Sequence, residues 1–188
     1  MENNNLSFDL NSIKECHCCR PCDSSCDCEK VEIKKPYDLR QRMYCLVLRQ
    51  LNQMQKGVQS AHSVVEYIRR FGDSTEVVRW MDVDKTLILL DGGTYPDMLK
   101  TIQEFNENGV WYSFFNEPDL NDMTTCISVV ASELVWDRET YPDYSGAVIQ
   151  VGESTDFEKR NCETLKGYGL TDREIFLRNF LGGLRLAN

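Results

Sequence analysis

Four polar side chains recur at helical spacing in the first half of the chain. They are Gln59, His62, Glu66 and Arg69. Their intervals of three, four and three residues place them in one row on an α-helix. A histidine in such a row can act as a general base or as a hydrogen-bond donor. The alternative interpretation is a surface histidine that pairs with Glu66.

Two short loops carry further groups that can do chemistry. The first is DGGT, residues 91–94, whose glycines allow backbone N–H groups and a helix N-terminus to meet an anion. An ordinary tight turn is the alternative. The second loop, NEPDLND, carries the carboxylates of Glu117, Asp119 and Asp122, which suit Mg²⁺ binding or the activation of water. A solvated acidic turn is the alternative there.

A cluster of cysteines near residue 20 is the third chemical feature. It holds six of the nine cysteines: Cys16, Cys18, Cys19, Cys22, Cys26 and Cys28. The spacing C-x2-C-x2-C-x3-C, which is used around iron–sulfur clusters, is matched by four of them: Cys16, Cys19, Cys22 and Cys26. Four thiolates suit tetrahedral Zn²⁺ equally well. A disordered or redox-active tail is the remaining alternative.

Short, nearly continuous apolar runs predict the strands that position these groups. They cover residues 43–48, 85–91, 110–115 and 124–131. Helical patterns separate the first three runs, so we predict an α/β fold with a small mixed β-sheet of about four strands flanked by helices. Cys45 and Cys126 lie inside the runs and are expected to act as small core hydrophobes.

Two helices are predicted between these strands. In the first, an apolar stripe at intervals of three and four residues is expected to face the core: Val58, Ala61, Val65 and Ile68. A polar connection over residues 51–57 precedes it, and Gly72 ends it. The second helix is predicted to begin after Thr94, with Asp97 completing a capping box, and to end at Asn108.

After Trp136 the composition becomes polar, with several glycines and prolines. Residues 147–151 are predicted as an edge strand. Thr171 and Glu174 form a capping box that predicts the start of a terminal helix docked on the domain. We therefore predict three regions: a Cys-rich tail and linker over 1–40, an α/β domain over 41–136, and a C-terminal extension over 137–188.

The charge distribution sets limits on the partners. The 188 residues carry a formal net charge of −9, which argues against a protein that coats nucleic acid generally. Residues 30–79 nevertheless hold ten Lys or Arg against five Asp or Glu, so the sequence allows a local basic face; scattered solvated charge is the alternative. The chain lacks a long apolar run and a signal-peptide profile at its start, so we expect no membrane association and a cytoplasmic location.

In order along the chain, these features resemble the type 2 peptidyl-tRNA hydrolases over about residues 42–132. LVLRQLNQMQKGVQSAHS is similar to the family's opening motif, V-R-x-D-L-x-M-x-x-G-K-x-A-A-Q-x-x-H-A, and it matches at five positions: Arg49, Met54, Gly57, Gln59 and His62. VWYSFFNEPDLNDMTTCISVVA is similar to the closing unit, with Glu117 in place of the usual Asp and Thr124 at a threonine position.

The sequence also departs from the family motif. Three residues are missing between Gly57 and Gln59, and with them the lysine that the family counts among its catalytic groups. Lys56, on the other side of Gly57, is the candidate substitute. The motif's Asp is also absent, because position 51 is Leu and position 52 is Asn.

The resemblance implies hydrolysis of the ester that joins a peptide to the 3′ ribose of tRNA, with water as nucleophile and no metal. The catalytic residues that it implies are Lys56, His62, Glu117 and Thr124. The residues that it places against RNA are Arg42, Arg49, Gln59, Arg69 and Arg70, with Lys34, Lys35 and Arg40 leading to them.

Two other functions stay open from the sequence. One is a catalytically impaired homologue that binds RNA, a nucleotide or a protein partner through the same cleft. The other is a redox or metal-handling protein in which the cysteine cluster, with zinc as the leading metal, is the working part. A homodimer is a further open possibility for the assembly.

Overall fold

The computed structural model describes residues 38–145 and 154–187, and at 154–156 the backbone only. The described strands are β1 (Gln41–Val47), β2 (Thr86–Asp91), β3 (Ser113–Glu117) and β4 (Met123–Ser132). The α-helices are α1 (Gln53–Phe71), α2 (Thr75–Arg79), α3 (Tyr95–Glu107), α4 (Glu133–Trp136), α5 (Ser154–Gly167) and α6 (Asp172–Gly182). A π-helical turn, Trp80–Asp84, follows α2 directly.

The strands form one mixed sheet in the order β2-β1-β4-β3. β1 is parallel to β2 and antiparallel to β4, and β3 is antiparallel to β4. The predicted α/β class with a small mixed sheet is therefore confirmed. This topology brings the carboxyl ends of β1, β2 and β3 and the start of β4 to one end of the sheet, which we call the upper end.

Helices cover both faces of the sheet because β1 is apolar on both sides. Met43, Cys45 and Val47 pack into a cluster with residues of α1, α2 and the π-helical turn. Tyr44 and Leu46 alternate with them and pack into the cluster under α3, α4 and α6. Cys45 and Cys126 are fully buried among these side chains, as expected for small core hydrophobes.

The face that α1 buries is a correction to the sequence prediction. Val58 is 46% exposed and Val65 is 56% exposed, and Ala61 is exposed as well. Ile68, the fourth residue of the predicted stripe, does pack against the core cluster of β1. The buried residues of the helix are mostly polar: Lys56, Gln59, Ser60, Ser63 and Tyr67. The helix also begins at Gln53, inside the segment that was predicted as a polar connection.

The sheet surface beneath α1 explains this inverted orientation. Ser113 on β3 and Ser128 on β4 both point at the helix, where Ser113 Oγ donates to the Ser63 carbonyl at 2.8 Å and Ser128 Oγ donates to Ser63 Oγ at 2.8 Å. Ser60 Oγ donates to the Lys56 carbonyl at 2.8 Å. Buried hydroxyls need such partners, so hydrogen-bond matching across the interface decides which side of α1 faces inward.

The orientation of α1 predicts that Val65 contributes little to stability. We expect Val65→Ala to change the free energy of unfolding by less than about 0.5 kcal/mol, as is usual for exposed positions. The matched Val77→Ala, at a position 1% exposed on α2, is expected to cost about 2 kcal/mol. Urea unfolding measures the free energy of unfolding of both variants, and equal losses of that free energy would contradict the described orientation of α1.

The described parts of the C-terminal extension, residues 137–145 and 154–187, belong to the same compact unit as the sheet. Thr171 and Glu174 form the predicted capping box of α6, and Leu177 is buried in the core, so the predicted docking of this helix is confirmed. The last residues pair with the edge of β2, where Ala187 N donates to the Leu89 carbonyl at 3.0 Å.

Several sequence predictions lie outside the described residues. They concern the metal-ligand set Cys16, Cys19, Cys22 and Cys26, the basic residues Lys34 and Lys35, and the edge strand at 147–151. Helix α5 was not predicted, because its sequence is mostly polar and contains few apolar residues. None of the described helices has the length and apolarity needed to cross a bilayer.

Candidate functional site

Gln59 and Glu117 meet at the upper end of the sheet. The Gln59 amide Nε2 donates to Glu117 Oε2 in a short hydrogen bond. On its other side the Gln59 Oε1 accepts from the Thr125 hydroxyl at 3.0 Å. Because an ionised carboxylate only accepts hydrogen bonds, the amide nitrogen must face Glu117, and the amide oxygen is left to accept from the Thr125 hydroxyl. Three side chains from α1, β3 and β4 thus form one hydrogen-bonded chain that ends at a half-buried carboxylate.

A β-bulge decides which of the two neighbouring threonines joins this chain. Phe115 pairs with Cys126, but the next residue, Asn116, pairs with Thr124, so Thr125 is the extra residue. A bulge re-aims side chains locally. Thr125 consequently turns towards α1, while Thr124 Oγ1 donates to the Asn116 side chain at 2.8 Å. Thr124, the residue expected from the sequence, therefore lies outside the Gln59 hydrogen-bond chain.

His62 lies one helical turn after Gln59 and is exposed. Its ring packs edge-on against Phe115, with the ring centroids 4.5 Å apart. Phe115 and Glu117 share a face of β3 because side chains alternate along a strand. His62 and Glu117 are therefore on the same side of the molecule, as the sequence proposal requires. Glu66, the alternative partner of His62, pairs instead with Arg69 at 3.1 Å.

Lys56, the candidate substitute for the missing lysine, lies almost one turn before Gln59 on the same buried side of α1. Only 6% of its surface is exposed. This burial limits the reach of its amine to a ligand outside.

The predicted RNA-binding arginines divide between the two ends of the sheet. Arg49 is at the upper end, where its Nε lies 3.0 Å from Asp91 Oδ2. Arg69 and Arg70 lie in the last turn of α1, near the opposite end of the sheet, which we call the lower end. Arg42 also lies near the lower end. Its guanidinium carbon is 3.4 Å from the centre of the Trp136 ring, on the sheet face opposite α1. One surface therefore does not contain all of them.

The glycine loop before α3 satisfies its own N–H groups. Gly93 N donates to Asp91 Oδ1 at 2.9 Å, and Thr94 N donates to Asp97 Oδ2 at 2.7 Å. Hydrogen bonds from the Thr94 hydroxyl and backbone lower the pKa of Asp97. Partial burial raises the pKa of Asp91, but the Gly93 N–H and the Arg49 guanidinium outweigh it, and the net shift is downward. The protein's own carboxylates occupy this helix start, which favours the tight-turn interpretation.

The acidic loop supplies one carboxylate to the site. Glu117 is half-buried, whereas Asp119 and Asp122 are exposed. Within the described ranges, no three His, Cys, Asp or Glu residues come together to hold a metal ion. The part of this loop that takes part in the candidate site is thus its first carboxylate, Glu117.

Sequence reasoning missed Thr125 and Phe115 at this site. The TT pair in MTTC contained the correct residue, but strict alternation along β4 cannot reveal where a bulge inserts. Phe115 was assigned only to the strand. The T-shaped contact with His62 depends on the registry between α1 and β3, for which the sequence carries no local signal.

No protein-family model matches this chain, and no curated protein matches it significantly. The likeness to type 2 peptidyl-tRNA hydrolases accordingly rests on the motif residues alone.

Proposed function

We propose that this protein hydrolyses the ester bond between a peptide and the 3′ ribose of tRNA. The observation that carries the proposal is the convergence of Gln59, which matches the family motif, and Glu117, which stands where the family has Asp. The two residues are 58 positions apart in sequence and share one hydrogen bond beside the exposed His62. A carboxylate held by a neutral amide donor is a suitable general base for water. The resemblance in sequence and this geometry support the same chemistry.

Each group has a role in the proposed reaction. Glu117 takes a proton from water while the water oxygen bonds to the ester carbonyl carbon. The bond between that carbon and the ribose 3′ oxygen then breaks, and the proton passes from Glu117 to the ribose oxygen. His62 holds a substrate oxygen by a hydrogen bond. Gln59 and Thr125 are positioning residues, since their polar atoms act on Glu117 or on each other.

The test of the proposal is turnover of peptidyl-tRNA by the full chain, with a matched pair of threonine variants. We expect Thr125→Val to lower kcat about tenfold or more, because the Gln59 amide oxygen loses the donor that holds the side chain in place from the side opposite Glu117. Thr124→Val is expected to change kcat less than about twofold. Released peptide is measured by separation from the uncleaved substrate.

Two results would count against this arrangement. Absence of turnover by the unmodified protein would refute the hydrolase proposal. Turnover with a larger loss in Thr124→Val than in Thr125→Val would refute the hydrogen-bond chain as the catalytic support. Thr125→Ser keeps the hydroxyl and removes only the methyl group. A kcat near that of the unmodified protein in this variant would show that the hydrogen bond of Thr125, and not its packing, supports catalysis.

Burial of Lys56 favours a second candidate, a homologue that binds tRNA without cleaving it. In this candidate the cation that replaces the family's lysine stays in the α1 interface and stabilises no developing oxyanion, a contribution of about 3 kcal/mol where such a donor acts. Binding of peptidyl-tRNA without release of peptide would support it over the hydrolase.

A further inference from the structure

The two edges of the sheet differ in how they are covered. At β2 the last residues of the chain pair with the strand, where Asp91 N donates to the Arg185 carbonyl at 2.9 Å and Ala187 N donates to the Leu89 carbonyl at 3.0 Å. At β3, the other edge, no segment of the described chain pairs with the outer side. The strand SFFNE also lacks the lysine or proline that commonly protects an edge. Its outer side is therefore open to another strand.

The open backbone groups of β3 belong to Phe114 and Asn116. The Phe115 carbonyl lies 3.2 Å from the Thr125 hydroxyl of β4 and accepts from it, so Phe115 points its backbone groups inward. Backbone groups of successive strand residues point to opposite sides. The N–H and C=O groups of Phe114 and Asn116 consequently point away from β4, where the described chain offers them no strand.

These two residues are self-complementary. In an antiparallel pairing centred on Phe115, Phe114 of one copy lies opposite Asn116 of the second copy, and four backbone hydrogen bonds form. Phe115 lies opposite Phe115 of the second copy, as an aromatic cross-strand pair. One patch meets the same patch, which is the condition for a closed two-fold dimer.

Helix α1 leaves room for this pairing. It forms hydrogen bonds with Ser113 on β3 and with Ser128 on β4, so it lies over the space between these strands. Neighbouring strands are about 4.8 Å apart. The α1 helices of two paired copies would therefore lie about 10 Å apart on the same face of the joined sheet, a distance at which helices pack. His62, which packs on Phe115, would lie between them.

Antiparallel pairing brings the lower end of one copy to the upper end of the other. Arg70 is exposed, and its Nη1 donates to the Tyr112 carbonyl at 3.2 Å beside the open edge. In the register centred on Phe115, Glu117 of the second copy lies opposite Ser113. It is then one strand across and one residue along from Tyr112, a separation of about 6 Å.

Arg70 differs from the other arginines near the lower end. Arg69 pairs with Glu66 at 3.1 Å, and the guanidinium of Arg173 lies 4.8 Å from the Trp111 ring centre. Arg70 has no ion pair within the ranges that the structure describes, and the acceptor that it contacts is a neutral carbonyl. A carboxylate of a second copy would add an ion pair that the single chain lacks.

We propose that two copies of this chain pair through β3 into one continuous sheet, and that Arg70 of each copy lies beside Glu117 of the other. The pairing itself is independent of the proposed function. The role of Arg70 rests on that function, because Arg70 would bring to the site the cation that Lys56, only 6% exposed, keeps in the α1 interface. Each site of the dimer would then combine groups of two chains.

Sedimentation of the full chain between about 1 and 100 μM tests the pairing. We expect monomers at the low end of this range and dimers at the high end. Asn116→Pro removes the outward N–H, and it is expected to weaken dimerisation about tenfold or more, because two of the four hydrogen bonds are lost. Proline is tolerated in an edge strand where the N–H faces outward, so circular dichroism of this variant is expected to stay native.

Asn116→Ala is the matched control. Both substitutions remove the side chain that accepts from the Thr124 hydroxyl at 2.8 Å, but alanine keeps the backbone N–H. Its dimerisation is expected to stay within about threefold of that of the unmodified protein. Amide hydrogen exchange gives a second readout: exchange at Phe114 and Asn116 is expected to slow as the protein concentration rises, whereas exchange at Phe115 is expected not to change.

Mixed variants test the contact between Arg70 and Glu117. Arg70→Ala and Glu117→Gln are each expected to lower turnover of peptidyl-tRNA about tenfold or more. Half of the dimers in an equal mixture contain one copy of each variant, and one of the two sites in such a dimer keeps both groups. The mixture is therefore expected to recover about a quarter of the unmodified turnover. If Arg70 acted within its own chain, no site would keep both groups and nothing would be recovered.

Several outcomes would overturn the inference. A monomer throughout the concentration range, equal dimerisation of the two Asn116 variants, or exchange at Phe114 that ignores concentration would overturn the pairing. A dimer without recovery in the mixture would overturn the Arg70 contact. A dimer without any turnover would refute the hydrolase, and with it the role of Arg70, while the β3 pairing stands. Turnover by a monomer would do the reverse.

Discussion

Glu117→Gln is expected to lower kcat for peptidyl-tRNA hydrolysis by about 10²- to 10⁴-fold, the usual contribution of a general base. The substitution is nearly isosteric. Its side-chain carbonyl can still accept the Gln59 Nε2–H, so the hydrogen bond that positions residue 117 is preserved. What is removed is the capacity to take a proton from water. We therefore expect KM for peptidyl-tRNA to change much less than kcat.

Asp119→Asn is the control for this experiment. Asp119 lies two residues further along the same acidic loop and is exposed, so the variant removes one negative charge from the same neighbourhood. Its kcat is expected to stay within about twofold. If both variants lose activity equally, a general charge effect of the loop would explain the result and the role of Glu117 would be refuted.

Arg178→Met is expected to lower the free energy of unfolding by about 3 kcal/mol. Arg178 on α6 is only 1% exposed. Its Nη1 donates to the Leu134 carbonyl at 2.8 Å, its Nη2 to the Tyr141 carbonyl, and its Nε to Asp143 at 2.9 Å. Methionine fills the volume but leaves these buried acceptors without their donors, which costs about 1–3 kcal/mol each.

The control is Arg185→Met, at an exposed position near the C-terminus. It removes the same charge and is expected to shift stability by less than about 0.5 kcal/mol. Urea unfolding followed by circular dichroism measures both variants. A loss below about 1 kcal/mol in Arg178→Met would show that solvent or Arg138, which also contacts Asp143 and the Arg178 carbonyl, replaces the missing donors.

The mixed sheet could be predicted from the sequence because its strands are nearly continuous apolar runs. A strand buried on both faces needs apolar residues at every position, and Met43 to Val47 meet that condition. The helix start at Thr94 was equally accessible, since a capping box is a local pattern and its hydrogen bonds form within four residues.

Helix α1 shows where periodicity alone fails. Its apolar residues Val58 and Val65 repeat as a core stripe would, yet Ser60 and Ser63 face the sheet. Either of two stripes of the helix could have been buried. The buried stripe has hydroxyl partners on β3 and β4, and these partners come close to the helix only when it packs on the sheet.

The sequence by itself determined the α/β class, the positions of the main strands and the motif residues Gln59, His62 and Glu117, because local apolarity and residue type carry that information. Tertiary structure alone decided that Thr125 rather than Thr124 supports Gln59, that α1 buries Ser60 and Ser63 in place of Val58 and Val65, and that Arg42 lies apart from Arg69. Each of these depends on register: a bulge, a helix rotation or a strand order changes which distant side chains meet while leaving the local sequence pattern unchanged.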